Sequence, residues 1–502
     1  MSVEILHSIG MGFQTALTPT NLLFCFVGVL TGTLVGVLPG LGPVAAMSLL
    51  LPTTFHVSPV SAIIMLAGIY YGAMYGGSTT SILVNIPGES ASVVTCLDGY
   101  QMARQGRAGA ALGVAAFGSF IAGTIATVGL MLAAPPLARM AIRFGAPEYF
   151  ALIFLGLTTV TLLASGPAWK ALLMAALGLF LGCIGMDAQT GLTRFSFNII
   201  ELFDGVGLVP VAMGLFGISE VLLNVEQPEE RAIVETKIRN LLPTLKDWAA
   251  SLPAMLRGTV LGFFLGVLPG GGALIASFAS YAMEKRVSKT PERFGTGMIQ
   301  GVAGPEAANN SATGGAFVPL LTLGIPANAV MALLLGALVI YGVQPGPRLI
   351  AEHPDLFWGV VASMYVGNVM LLVLNLPLIG MWVQILRVPY PILFPLILLF
   401  CLIGAYSLNN STAEVGIMIL FGVLGYFLKK LAFEGAPLIL ALVLGPMMEL
   451  SFRQSLAMGD GDLLFFFKRP ISATIMIVAL ALLLLPLVPG FRARKPAAET
   501  EK

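Results

Sequence analysis

The chain has 502 residues, 57% of them hydrophobic and 10% charged, with a net charge of +1 and a mean hydropathy of +0.92. A soluble chain of this length would carry roughly 25% charged residues over about three domains, so that class is excluded, and no basic stripe is present to displace counterions from nucleic acid. The 58 Gly and 32 Pro lie among long apolar runs, which excludes a disordered or collagen-like chain and predicts an all-α polytopic membrane protein, whose helices tolerate both residues.

The N-terminus has no Lys or Arg ahead of its apolar run and no clear small-residue cleavage site, so the expectation is that the protein keeps its first residues. Residues 5–88 hold no charge; at about 20 residues per crossing this is three spans or their broken equivalents. Further spans are expected at 109–134, 148–165, 168–185 and 206–223. Residues 226–257 carry five acids and five bases. They predict a polar connector between a first membrane half, 1–225, and a second, 258–490, which a polar tail, 491–502, follows. The second half opens at 258–283, continues through the charged EKRVSKTPER, and then runs from 294 to 344 with Glu306 as its one charge. Spans at 356–386, 390–408, 415–428, 436–448 and 471–488 bring the total to about 12 transmembrane helices. Cys25, Cys96, Cys183 and Cys401 stand singly in apolar stretches, without metal-ligand spacing, and read as buried small hydrophobes rather than a structural metal site.

An internal repeat joins the halves. GVLTGTLVGVLPGLG (28–42) aligns without a gap to GTVLGFFLGVLPGGG (258–272) with eight identities. About 50 residues on, each half has a Gly- and hydroxyl-rich segment ending in Ile-Pro, YGGSTTSILVNIPGES (75–90) and GPEAANNSATGGAFVPLLTLGIPANA (304–329). The Lys/Arg-rich loop follows the Leu-Pro-Gly motif in the second half, EKRVSKTPER, but the Ile-Pro motif in the first, Arg104 and Arg107. That switch predicts two inverted repeats with broken or re-entrant helices.

Each Leu-Pro-Gly should break its helix, because Pro39 and Pro269 remove a backbone donor and Gly40, Gly42, Gly270 and Gly272 permit conformations a helix forbids. Broken backbone is tolerated in a membrane only against protein or a watery cavity, so these four glycines are candidate substrate-binding residues. Gly28, Gly32 and Gly36 read as close helix packing. Gly77, Ser78, Thr79, Thr80, Ser81 and Asn85 in the first half, and Asn309, Asn310, Ser311 and Thr313 in the second, add hydroxyl and amide groups able to cradle a carboxylate or hold a cation. The alternative for the hydroxyls is bonding to their own helix carbonyls. Glu306 is either a coupling-ion or proton carrier or a helix cap, with Asn85, Asn309 and Asn310 as companion ion ligands; Glu89 reads as a cap. No Lys or Arg lies in these segments. A multiply charged anion would then need bound Na⁺ or H⁺ beside the helix dipoles, about half a positive charge per N-terminus.

These motifs, with LDGYQMARQGRAG and the YGVQPGP turn, resemble the large permease subunit of the tripartite tricarboxylate transporters, the TctA-like family, over nearly the whole chain. The resemblance implies a multi-pass protein of the bacterial inner membrane, working with a small membrane subunit and a periplasmic solute-binding protein. It also implies uptake of citrate-like or other carboxylates on an ion gradient, with no cofactor. Glu89-Ser90 departs from the small Thr-Pro-like continuation common in that family. Alternatives are a stand-alone carrier, a channel and a membrane enzyme. Against the enzyme, the chain has no HExxH or paired acidic motif, and His7, His56 and His353 are far apart.

Overall fold

The computed structural model describes residues 2–38, 42–55, 57–164, 167–187, 189–226, 240–270, 272–386 and 390–485. Among the described residues the regular structure is helical apart from a two-stranded hairpin, β1 (Gly185–Met186) and β2 (Thr193–Arg194). The helices are α1 (Ser2–Ala16), α2 (Pro19–Val37), α3 (Gly42–Leu50), α4 (Pro59–Val84), α5 (Ala108–Ala141), α6 (Ala146–Leu163), α7 (Ala168–Gly182) and α8 (Leu208–Glu226), then α9 (Leu245–Val267), α10 (Gly272–Val287), α11 (Gln300–Leu323) and α12 (Ala329–Ile340). After these come α13 (Pro354–Asn375), α14 (Ile379–Ile385), α15 (Tyr390–Asn409), α16 (Thr412–Lys430), α17 (Ala436–Met458) and α18 (Pro470–Leu484). Among the described residues ten helices are long and apolar enough to cross a membrane, and α7, α12 and α18 are shorter apolar ones.

The helix ends follow from local chemistry. Thr18 and Ser58 cap α2 and α4, each followed by a Pro at the first helical position, where its missing N–H costs nothing. α2 and α9 both stop just before their Leu-Pro-Gly, and the next helices start at Gly42 (φ 55°) and Gly272 (φ 45°). A side chain is strained at that backbone angle, and only glycine takes it freely. The span expected at 258–283 is thus two helices, α9 and α10. α9 also starts earlier than the connector reading allows, at Leu245. Thr244 and Asp247 form a capping box there, and Arg107 pairs with Asp247 at 2.6 Å, so boundary 257 falls inside a helix. Residues 227–239 of the connector and the tail 491–502 lie outside the described residues. The 356–386 span likewise divides, into α13 and α14.

α4 and α11 form the centre, buried along nearly their whole lengths. α2 packs on α4 and α9 on α11 through glycines. A Cβ on Gly28, Gly32 or Gly36 would lie 2.3, 2.5 or 2.3 Å from the carbonyl oxygens of Met65, Ile69 and Ala73. On Gly258, Gly262 or Gly266 it would lie 2.3, 2.2 or 2.2 Å from those of Gly304, Ala308 and Ala312. Both series advance together, so α2 runs parallel to α4 and α9 parallel to α11, at the close approach small residues allow. α4 and α11 run antiparallel: Ser78 meets Glu306 while Tyr70, two turns earlier, meets Phe317, seen later in α11. α5 crosses onto α11 (Ser119 to Asn310, 2.7 Å) and α13 onto α4 (Tyr75 to Asn368, 2.8 Å), so each half braces the other's central helix. α6–α8 and α15–α18 lie outside this core, with large apolar side chains such as Leu173, Phe400 and Ile477 exposed toward what would be lipid. Cys25 and Cys401 are buried as expected; Cys96 and Cys183 are only half-buried, lying at helix ends.

Candidate functional site

Behind the central pair the two kinds of break meet. α4 ends at Asn85 (φ 61°) and α11 at Gly324 (φ 70°), both left-handed, the usual close of a helix with Pro following two residues on. Ile-Pro-Gly-Glu (86–89) and Ile-Pro-Ala-Asn (325–328) then occupy corresponding places. Glu89 caps the turn Ser90–Ser92 by accepting the Ala91 N–H at 2.6 Å; Asn328 caps α12 by accepting the Met331 N–H at 3.0 Å and donates to the Tyr70 hydroxyl at 2.9 Å. The Gly270 N–H donates to the Ala327 carbonyl at 2.8 Å, joining the two breaks of the second half. In the first half Gly88 presses on Gly36, where a Cβ would lie 1.9 Å from the Gly36 oxygen.

A cavity of about 610 Å³ opens between these elements. Gly42, Gly270 and Gly272 line it, with Tyr70, Glu89 and Asn328, and the N-termini of α3, α10, α12 and α17 face it. Lys429 reaches its wall, paired to Glu220. Glu89 is buried (6% exposed), and its Oε1 has no partner among the described residues. The cap reading of Glu89 therefore describes one oxygen, while the other is left to the cavity.

The remaining candidates form a second cluster. Glu306, fully buried, accepts from the Ser78 and Thr95 hydroxyls and from the Asn309 amide at 3.2 Å. Asn310 donates to Ser119 and to the Asn309 side-chain oxygen Oδ1 (2.5 Å). Several hydroxyls go to main-chain carbonyls: Thr80 to Val37 at 2.7 Å, Ser311 to Thr259 at 2.6 Å, Thr313 to Asn309 at 3.0 Å, and Ser81 to Gly77 and Ser92 at 2.9 and 3.0 Å. Thr80 and Ser311 in this way satisfy a neighbouring helix, α2 and α9, rather than their own. Asn85 is exposed and serves as the left-handed cap, away from Glu306. Gly77 packs under the Glu89 side chain (a Cβ would meet Cγ at 2.9 Å), which puts cavity and cluster one residue apart. Gly40 lies outside the described residues. Among the described residues no group of three His, Cys, Asp or Glu is placed to hold a metal.

Sequence reasoning passed over Tyr70, Asn328 and Asp98. Asp98, fully buried, accepts the N–H groups of Gly295, Gly297 and Met298 at 2.7 to 2.9 Å and the Tyr281 hydroxyl at 2.9 Å, fixing the loop ahead of α11. Asn328 was findable, since it follows Ile-Pro at the same distance as Glu89. Outside the membrane-spanning helices, the Gln189 N–H and Arg453 hold the Asp187 carboxyl well below its ordinary range.

Paired helix breaks around a shared cavity, in a bundle of ten apolar crossing helices, define a multi-pass membrane protein of the transporter type. The model of the tripartite tricarboxylate transporter TctA family matches residues 22–440, and the chain belongs to that family, the large membrane subunit of a tripartite tricarboxylate transporter. It is 51% identical over 500 residues, the full length of both chains, to an uncharacterized 52.8 kDa protein in the TAR-I ttuC' 3'region of Agrobacterium vitis. A second protein of that organism, uncharacterized and in the TAR-II ttuC' 3'region, is 50% identical over 234 residues, 47% of this chain and 97% of that protein. No solved structure matches.

Proposed function

We propose that the chain is the translocating subunit of an ion-gradient-driven carboxylate importer in the bacterial inner membrane, fed by a periplasmic solute-binding protein and assembled with a small membrane subunit. One observation carries this reading: the chain that follows each Leu-Pro-Gly motif and the chain around each Ile-Pro turn wall one cavity on which four helix N-termini open. Together those ends supply about two positive charges, enough to attract a carboxylate but short of neutralising a tricarboxylate. Bound Na⁺ or H⁺ makes up the difference, with Glu89 on the cavity wall and Glu306 in the neighbouring cluster as the acidic groups to carry it. The parallel pairs α2/α4 and α9/α11, set against each other through antiparallel α4 and α11, support reading the halves as inverted repeats moving about this site. The chain has no catalytic role in this scheme.

The test is uptake of a panel of radiolabelled carboxylates into proteoliposomes holding this chain with its candidate partners, under a Na⁺ gradient, a proton gradient or none. Uptake that needs both the binding protein and a gradient is expected. Uptake without the binding protein would make the chain a stand-alone carrier, and gradient-independent uptake would refute the coupling.

A further inference from the structure

A small void lies between α4, α5 and the end of α13, lined by Tyr75, Ser78, Thr79, Ala115, Ser119 and Asn375. Its volume is about 10 Å³, at the lower limit for one water, which needs roughly 10 to 15 Å³. Some of the groups around it are already committed. Ser78 donates to Glu306, and Ser119 accepts from Asn310 at 2.7 Å, so its oxygen is held in place. The Asn375 amide nitrogen donates to the Leu371 carbonyl at 2.9 Å, which turns its Oδ1 away from the helix. That oxygen is buried, in a residue 5% exposed, and has no partner among the described residues. An unpaired carbonyl oxygen so deep is costly unless something positive or protic meets it.

We propose that this void is a Na⁺ site, with oxygens of Ser78, Thr79, Ser119 and Asn375 facing the ion and Glu306 supplying the compensating charge through Ser78. Hard neutral oxygens around a space too tight for a larger ion suit a small monovalent cation. Divalent ions gather several carboxylates, and one only, Glu306, adjoins this void among the described residues. The site rests on the ion-driven reading above and names its ion. It also links the ion to the transport cavity, because Ser78 follows Gly77, on which Glu89 of the cavity wall packs.

The test is thermal unfolding of the purified full chain in detergent, without substrate, titrated with NaCl against KCl and choline chloride at constant ionic strength. Na⁺ should raise the melting temperature saturably and the other two should not. Asn375→Leu and Ser119→Ala should each weaken the apparent Na⁺ affinity roughly tenfold to a hundredfold, while Asn375→Asp should strengthen it. The last variant guards against loss of fold as the explanation. No Na⁺ response in the unaltered chain, or the same titration curve in all three variants, overturns the site and leaves the void to a water. If the Na⁺ response stands but no carboxylate is taken up, the transport reading fails alone; if Na⁺-driven uptake is unchanged by Asn375→Leu, the site fails alone.

Discussion

The two halves share a backbone plan and divide its chemistry unequally. The glycine seams of α2/α4 and α9/α11 are nearly superimposable in their distances, and Asn85/Gly324, Pro87/Pro326 and Glu89/Asn328 hold matching positions at the second break. Yet α4 contributes hydroxyls where α11 contributes Glu306 and two amides, and the cap after Ile-Pro is a carboxylate in one half and an amide in the other. The shared Gly and Pro pattern accounts for the common frame; the differences between paired positions are where a substrate and an ion would be told apart.

The largest effect expected from testing this comparison is at the seams. Gly36→Val and Gly266→Val place a side chain where even a Cβ would meet a carbonyl oxygen at 2.3 or 2.2 Å. The helices would have to separate, at a cost of about 3 kcal/mol or more. Both variants should lose monodisperse, cooperatively melting protein to the same extent. If one half tolerates the change and the other does not, the seams are not equivalent and the shared frame is refuted.

A smaller effect is expected at the paired caps. Glu89→Gln keeps an oxygen for the Ala91 N–H, so melting should move by less than about 1 kcal/mol, but it removes the negative charge that the cavity wall carries when Glu89 is ionised. At alkaline pH, where the buried Glu89 carboxyl ionises, carboxylate binding should tighten by roughly tenfold, as read by ligand-induced shift in melting. Asn328→Asp puts a charge on the opposite wall and should weaken binding comparably. Equal, null responses would mean that the cavity holds no carboxylate beside these caps.

Much of this frame is legible in the sequence because proline and glycine act locally. Pro269 with Gly270 and Gly272 stops a helix whatever surrounds it, and eight identities over 28–42 and 258–272 mark the duplication. The site is legible only in part. Gly42, Gly270 and Gly272 do line the cavity, but Thr80 and Ser311 are committed to neighbouring backbones, a choice decided by which carbonyls of another helix come within reach. Ser119 and Asn375 are single polar residues in apolar runs, with the same local pattern as a hydroxyl or amide bonding its own helix. Only the approach of α5 and α13 to α4 sets them apart.

The smallest effect lies outside the duplicated frame, at the β1–β2 hairpin. There Asp187 accepts the Gln189 N–H at 3.0 Å and an Arg453 N–H at 2.8 Å, and its carboxyl titrates well below the ordinary value. A carboxylate with a depressed folded pKa stabilises the protein at pH values above its unfolded pKa, about 3.9, and that contribution fades as the pH falls through this value toward the folded one. The difference in melting temperature between the unaltered chain and Asp187→Asn should be constant near pH 6 and shrink below about pH 4. The Glu89→Gln response, set by the cavity, should keep its size after Asp187→Asn. A change in carboxylate binding on altering Asp187 would mean that the hairpin and the cavity move together, and that the duplicated core does not contain the whole of the transport site.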